Sequence, residues 1–174
     1  PYIRAAKELK TKPTQHSVKQ LQQVGIQPDI LVLRTEKEIP LAMRRKVAQF
    51  CNVDVDAVTQ SVDLPTIYEV PLMMHEQKLD NIILDKTGTP YSGEPDLTKW
   101  NQFLDHMRAA KGTVKIGLVG KYVSLQDAYK SIDESLLQAC TYHEQKLDLV
   151  YVNSEKLTDA NVEEQLKDMD GVIV

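Results

Sequence analysis

Cysteine is scarce in this sequence, and its two cysteines are isolated from each other. Cys51 and Cys140 lie far apart, with no CxxC spacing and no neighbouring set of histidine or cysteine ligands. Zinc sites and disulfide frameworks need such spacings, so neither kind of site is indicated. We expect both residues to be buried free thiols.

Long hydrophobic runs and targeting signals are missing as well. No apolar stretch of the sequence approaches the roughly 18 residues that a membrane-spanning helix needs. The opening residues PYIR lack the basic-then-apolar layout of a signal peptide. Because 42% of the residues are hydrophobic and 26% are charged, the composition is typical of a soluble globular protein. We therefore expect a folded cytoplasmic protein that does not associate with a membrane.

Two sequence signatures of catalysis are absent. No GxxxxGK[ST] phosphate-binding loop occurs, and no cysteine lies in the glycine-flanked turn that would present a nucleophile. Cys140 falls inside a predicted helix and is not expected to be a nucleophile. We predict no catalytic residue and no metal ligand within this sequence.

The charge that is present is unevenly distributed. The net charge is −4, yet residues 1–50 hold 10 Lys and Arg against 4 Asp and Glu, whereas residues 51–174 hold 11 against 21. A basic first third suits a polyanionic ligand. Aromatic residues are not interleaved with these basic residues, so a triphosphate is favoured over a strand of nucleic acid.

Strand and helix patterns alternate along the first half, which predicts an α/β fold. A loop is expected over residues 1–15, where Pro13 should break any helix, followed by a helix that ends at Gly25. The continuous apolar run from Asp29 to Leu33 predicts a strand that is buried on both faces in a parallel sheet. Further elements follow in order: a helix over about 41–51, a strand at 57–59 and helical stretches over 66–84.

The strongest cluster of helix and strand breakers, Thr87 to Pro95, places a domain boundary near its centre. A linker helix is predicted over about 97–110, because four apolar residues fall on one helical face and should dock on a domain. A second α/β unit then begins with a strand over 114–119, a loop from Gly120 to Gln126 and a helix from Asp127 to about Tyr142. The remaining elements are strands at 147–152 and 171–174, with a helix over about 161–167 between them.

The segment before the first helix has the residue types that bind phosphate. Two lysines could neutralise phosphate oxygens, threonine hydroxyls could donate hydrogen bonds, and the free amides of a helix N-terminus would add their dipole. From spacing alone, a solvated basic loop that caps its helix with Thr14 or Ser17 stays open as the alternative. The candidate residues are Lys10, Thr11, Lys12, Pro13, Thr14 and Gln15.

The motif KTKPTQHSV, followed by GIQPDILVLR, resembles the signature of CTP synthases. The resemblance implies that Lys10 to Gln15 bind the nucleotide UTP, and CTP as product inhibitor. The segment RRKVAQFCNV is similar to the family's helix whose lysine contacts the same nucleotide, which assigns that role to Lys46. The segment SVDLPTIYEVP is similar to the family's segment against the ATP base, which assigns ATP binding to Val62, Asp63 and Leu64. This segment departs from the family's commoner pattern at Val62 and Pro65. Backbone contacts to adenine would tolerate both differences.

The segments IGLVGKY and DAYKS resemble the opening strand, loop and helix of the family's class I glutaminase domain. Ligands of open α/β sheets gather at the carboxyl ends of strands. Lys121, Tyr122 and Lys130 could therefore couple the two domains across a cleft, or they could be exposed or structural residues. Lys130 is expected about one turn into its helix, where the dipole disfavours a cation, so we expect an acidic partner across the cleft.

The resemblance covers all 174 residues and implies an internal segment of a longer enzyme. It implies two partial Rossmann-like parallel-sheet units, of the P-loop amidoligase and class I glutaminase types, joined by a linker helix. Residues 1–90 would end the amidoligase domain, residues 91–111 would form the linker, and residues 112–174 would begin the glutaminase domain.

The family's reaction is the ATP-dependent amination of UTP to CTP with ammonia from glutamine. The resemblance thus implies UTP, CTP, ATP and glutamine as ligands, Mg²⁺ as cofactor with its ligands outside this segment, and a homotetramer. The segment alone should be inactive. Two other interpretations stay open: a dethiobiotin-synthetase-like amidoligase, against which the glutaminase-like opening argues, and a non-catalytic nucleotide-sensing or assembly module.

Overall fold

The computed structural model describes residues 2–3, 8–125 and 127–174 of the chain. Gln126, which ends the predicted loop, and residues 4–7 of the predicted first loop lie outside the described residues. Contacts between Cα atoms divide the chain into two compact units, Pro1–Glu94 and Pro95–Val174. The assignment of residues 1–90, 91–111 and 112–174 to enzyme domains stays a prediction.

The first unit is mixed α/β and contains a short antiparallel pair and a parallel pair of strands. Strands β1 and β2 pair antiparallel, with Tyr2 opposite Leu9. Strands β3 and β4 pair in parallel, in a register that joins Leu31 to Val58 and Thr35 to Val62. The elements are β1 (Tyr2–Ile3), β2 (Glu8–Leu9), α1 (Lys12–Gln23), β3 (Leu31–Thr35), α2 (Leu41–Cys51), β4 (Val58–Val62), α3 (Val70–Glu76) and α4 (Leu79–Thr87).

The core of this unit lies between the two helices and the parallel strands. Val18 of α1, Val47 of α2 and Val58 of β4 are buried together, and Leu31 and Leu33 of β3 pack against them. Burying each such aliphatic side chain contributes about 1.5–3 kcal/mol. This core therefore holds the N-terminal end of α1 and the carboxyl end of β3 in one unit.

Two predictions about the first unit are wrong. The helix begins at Lys12, not after residue 15. Pro13 is tolerated because the first helical turn needs no amide donor and the proline ring presets a helical φ angle. The strand is also not buried on both faces within the described residues, because Val32 is 48% exposed. Helices α1 and α2 cover the face that carries Leu31 and Leu33.

The outer edge of β4 is closed by a side chain. The Gln77 side-chain amide accepts a hydrogen bond from the Gln60 amide and donates one to the Gln60 carbonyl, each at 2.8 Å. These bonds satisfy strand-edge groups as a neighbouring strand would. The Gln60 side chain in turn accepts from the Ile39 amide at 2.7 Å, which holds the loop between β3 and α2 against β4.

The second unit is a three-stranded parallel sheet in the order β6-β5-β7. Helix α5 belongs to this unit, and its Leu104 is 1% exposed, which confirms the predicted apolar stripe. Both cysteines of the chain are free and buried, as predicted, and burial raises the pKa of each thiol. The elements are α5 (Thr98–Ala109), β5 (Gly112–Gly120), α6 (Lys130–Tyr142), β6 (Gln145–Asn153), α7 (Val162–Leu166) and β7 (Gly171–Ile173).

The two units confirm the predicted fold class, which is mixed α/β with parallel, Rossmann-like sheets. None of the helices in the described ranges is long and apolar enough to cross a membrane. Helix α6 begins at Lys130, so the predicted start at Asp127 is wrong. Residues 127–129 form a turn, in which the Ala128 amide bonds to the Leu125 carbonyl.

Candidate functional site

A cavity of about 380 Å³ lies where the start of α1 meets β3. Four of the residues predicted to bind UTP line it: Lys10, Thr11, Pro13 and Thr14. The opposite wall contains Arg34 and Thr35, at the carboxyl end of β3. The floor is mostly apolar, built by residues that the core already fixes. Such a cavity offers a basic, hydroxyl-bearing rim above a hydrophobic base.

The first turn of α1 supplies donors to this rim. No side chain caps the helix, and Pro13 has no amide hydrogen. The amides of Lys12 and Thr14 therefore have no helical acceptor, as at any helix N-terminus. The Gln15 side chain donates a 3.2 Å hydrogen bond to the Thr11 hydroxyl, which fixes the Thr11 side chain. Free amides and the positive end of the helix dipole favour an anion here.

Three of the residues predicted to bind UTP do not line this cavity. Gln15 bonds to the hydroxyl of Thr11, and Thr11 lines the cavity. Lys12 and Lys46 are exposed, and no ion pair of theirs occurs among the described residues. Lys46 lies next to Val47 and three residues beyond Met43, both of which line the cavity. Lys10 lines it and pairs with Glu8.

The segment predicted to bind ATP lies directly beside the same strand end. Val62, the last residue of β4, pairs with Thr35, so both carboxyl ends meet at one edge. The Arg34 guanidinium lies 2.5 Å from the Asp63 carboxylate, and it donates to the Thr35 carbonyl at 3.0 Å and the Ser61 carbonyl at 3.2 Å. Arg34 thus lines the cavity of the first predicted nucleotide segment and contacts Asp63 of the second.

The sequence analysis did not identify Arg34 and Thr35 as site residues. The available signal was their position immediately after the apolar run that ends at Leu33. Ligands of open α/β sheets bind at this end of the strands. Thr35 is buried, and its hydroxyl donates to the Lys37 carbonyl at 2.7 Å, so the turn after β3 is well ordered by hydrogen bonds.

The second unit has its own candidate surface at the carboxyl end of β5. The chain leaves β5 for β6 on one side, and then crosses to β7 on the other side. This change of side beside β5 is a topological switch point, where ligands of such sheets bind. Lys121 and Tyr122 follow β5 directly, and both are exposed. Lys121 lies 3.4 Å from Glu155, which follows β6.

The turn before α6 is bonded to the segment that follows β5. The Tyr122 amide donates a 3.3 Å hydrogen bond to the hydroxyl oxygen of Tyr129, the residue before Lys130. Lys130 is the first residue of α6 and lies 2.5 Å from Glu134, one turn later. Glu134 is therefore an acidic partner within the helix, whereas an acidic partner across the cleft stays a prediction.

Within residues 2–3, 8–125 and 127–174, no three His, Cys, Asp or Glu side chains gather closely enough to hold a metal ion. The expectation that the Mg²⁺ ligands lie outside this segment stays a prediction.

Comparison with known proteins places the chain in a family. The family described as CTP synthase N-terminus matches residues 1–88. Over the whole chain, the sequence is 61% identical to a CTP synthase of Porphyromonas gingivalis, 58% to one of Bacteroides fragilis and 52% to one of Flavobacterium johnsoniae. The chain spans about a third of the length of these relatives, 32%, 33% and 32% respectively. The chain belongs to the CTP synthase family.

Proposed function

We propose that the parent protein of this segment is a cytoplasmic, tetrameric CTP synthase that aminates UTP to CTP with ATP and glutamine-derived ammonia. In this proposal the segment contains nucleotide-binding residues and domain-coupling residues, and the groups that perform the chemistry lie elsewhere in the parent chain. The observation that carries the proposal is the cavity in which Lys10, Thr11 and Thr14 face the carboxyl end of β3.

The role of the basic residues is electrostatic. Lys10 and the first-turn amides of α1 would bind the triphosphate of UTP, and Lys46 would add a further cation from α2. Holding the triphosphate at this rim would orient the uracil base toward the phosphoryl donor, which accelerates reaction by positioning. Val62, Asp63 and Leu64 would bind the base of ATP beside Arg34, so one strand end would serve both nucleotides.

In the second unit, Lys121, Tyr122 and Lys130 would transmit the nucleotide state of the amidoligase domain to the glutaminase domain. Their support is the position of the first two residues at the switch point beside β5, and the hydrogen bond from the Tyr122 amide to Tyr129, the residue before Lys130. Residues 1–90, 91–111 and 112–174 would then be the end of the amidoligase domain, the linker and the start of the glutaminase domain.

The test uses Lys10→Ala and Lys46→Ala in the full-length parent enzyme. Removing a charge-assisted phosphate contact should cost about 1.5–3 kcal/mol, which corresponds to a rise in the UTP KM of roughly tenfold to more than a hundredfold. The glutamine KM should not change, because these lysines are assigned to the UTP triphosphate. Lys19→Ala is the matched control, since Lys19 is an exposed lysine of α1 that does not line the cavity.

Two results would contradict this proposal. If the lysine variants raise the KM for UTP and the KM for glutamine equally, the assignment of these lysines to UTP binding is wrong. Nucleotide binding by the full-length protein without any CTP formation would instead favour a non-catalytic nucleotide-sensing module.

A further inference from the structure

A second cleft, of about 410 Å³, adjoins the nucleotide cavity in the first unit. It shares Arg34 and Thr35 with that cavity and extends past them to Asp63. Its remaining lining residues are Tyr2 and Glu36. Tyr2 has no role in the site described above, although it is the aromatic residue of this cleft.

Tyr2 is fixed to the nucleotide-binding segment by the backbone. Its strand β1 pairs with β2, and Tyr2 lies opposite Leu9, the residue directly before Lys10. Leu9 itself lines the nucleotide cavity. The ring is also held from the loop after β3, because the Lys37 ammonium lies 4.2 Å from the ring centroid. A cation at this distance from an aromatic ring attracts it electrostatically.

Arg34 presents a second planar group to the cleft. Asp63 and two backbone carbonyls hold its guanidinium in place, as described above. Aromatic rings and arginine guanidinium planes are the groups on which proteins stack nucleobases. A tyrosine ring and a guanidinium that pairs with Asp63 in one cleft therefore match a flat heterocyclic base.

The charges of the cleft indicate which base it would accept. Asp63, which pairs with Arg34, and Glu36 supply carboxylates, which are hydrogen-bond acceptors. Adenine carries an exocyclic amino group, a donor at N6, whereas uracil has a carbonyl oxygen at the corresponding position. Carboxylate acceptors in the cleft therefore fit the amino group of the adenine of ATP better than the carbonyl oxygen of the uracil of UTP.

We propose that Tyr2 is the aromatic wall of the ATP site and that the adenine base packs against its ring opposite Arg34. Tyr2 is thus a binding residue that selects ATP without taking part in the chemistry. This inference rests on the proposed function, because it assumes that Val62, Asp63 and Leu64 bind ATP.

The experiment measures ATP and UTP separately in the full-length parent enzyme. Loss of a base-stacking ring should raise the ATP KM and the ATP dissociation constant about tenfold in Tyr2→Ala, and leave the UTP values within about twofold of wild type. Tyr2→Phe keeps the ring and should stay within about twofold of wild type for both nucleotides. Tyr91→Ala is the matched control, because Tyr91 belongs to the same unit and lines a different cavity.

Tyr2→Leu keeps a bulky apolar side chain and serves as the test variant if Tyr2→Ala does not fold. Wild-type ATP affinity in a folded Tyr2→Leu or Tyr2→Ala protein overturns the proposal, and so does an equal loss of ATP and UTP affinity. Arg34→Ala distinguishes a wrong role for Tyr2 from a wrong assignment of the ATP site. If Arg34→Ala weakens ATP binding and the Tyr2 variants do not, only the role of Tyr2 is wrong. If neither residue affects ATP binding, the ATP assignment itself fails.

Discussion

The hydroxyl of Tyr151 donates a 2.5 Å hydrogen bond to the Oδ2 atom of Asp133. Tyr151 lies on β6 and Asp133 lies on α6, so the bond joins a strand to the helix that precedes it in the chain. This hydrogen bond, together with burial and the negative charge of Asp133, raises the pKa of Tyr151 to about 12. The neutral phenol is therefore favoured in the folded protein.

This relationship predicts a specific alkaline loss of stability. The folded-state pKa lies above the ordinary tyrosine value of 10.0, so the stabilisation is fully present below about pH 10 and is lost as the pH rises through about 12. The free energy of unfolding should fall more steeply over this range in the wild type than in Tyr151→Phe. Urea titrations at several pH values would measure both slopes.

Tyr142→Phe is the control for that comparison, because Tyr142 is an exposed tyrosine of the same unit. In Tyr142→Phe, the free energy of unfolding should fall with pH as steeply as in the wild type. A Tyr151→Phe slope equal to the wild-type slope would show that the bond to Asp133 does not stabilise the neutral phenol.

Under the proposed function, Lys130 provides a prediction about coupling between glutamine hydrolysis and CTP formation. In Lys130→Ala, CTP formation from free ammonia should stay near the wild-type rate, whereas glutamine-driven synthesis should fall several-fold, since only the latter requires aligned domains. The measured quantity is the ratio of the two rates at saturating ATP and UTP.

Glu134→Gln separates coupling from helix stability. It weakens the Lys130–Glu134 pair but leaves the lysine in place, and an exposed pair of this spacing contributes only about 0.3–0.5 kcal/mol. The ratio in Glu134→Gln should match the wild type. If both variants change the ratio equally, or if neither does, Lys130 has no coupling role of its own.

Gly120 provides a prediction about packing at the end of β5. A Cβ atom at this position would lie 2.2 Å from the hydroxyl oxygen of Tyr129 and 2.5 Å from the adjacent ring carbon. The tyrosine would have to move, which would disrupt its hydrogen bond with the Tyr122 amide. Gly120→Ala should therefore lower the free energy of unfolding by about 1–3 kcal/mol, measured by urea titration.

The double variant Gly120→Ala/Tyr129→Ala tests the cause of that loss. Removing the ring removes the clash, so the effect of Gly120→Ala should be much smaller in the Tyr129→Ala background than in the wild type. Additive losses in the double variant would mean that the alanine destabilises the strand end for some other reason.

Much of the secondary structure followed from local patterns. Helix α2 was predicted with its observed limits, since a helix has a periodicity that local residues determine. The start of α1 was predicted wrongly, because Pro13 is compatible with a first helical turn as well as with a loop. The start of α6 was placed three residues early, since residues 127–129 carry no sequence signal that separates a turn from a helix.

By itself, the sequence determined the α/β class and the resemblance to CTP synthases, and it predicted phosphate binding by Lys10 to Gln15. Only the tertiary structure decided that Arg34 contacts Asp63 and that Tyr2 shares their cleft. The reason is that Arg34 and Asp63 are brought together by the parallel register of β3 and β4, and Tyr2 by the pairing of β1 with β2. Local periodicity shows which side of an element is apolar, but the pairing of distant strands depends on how the whole core packs.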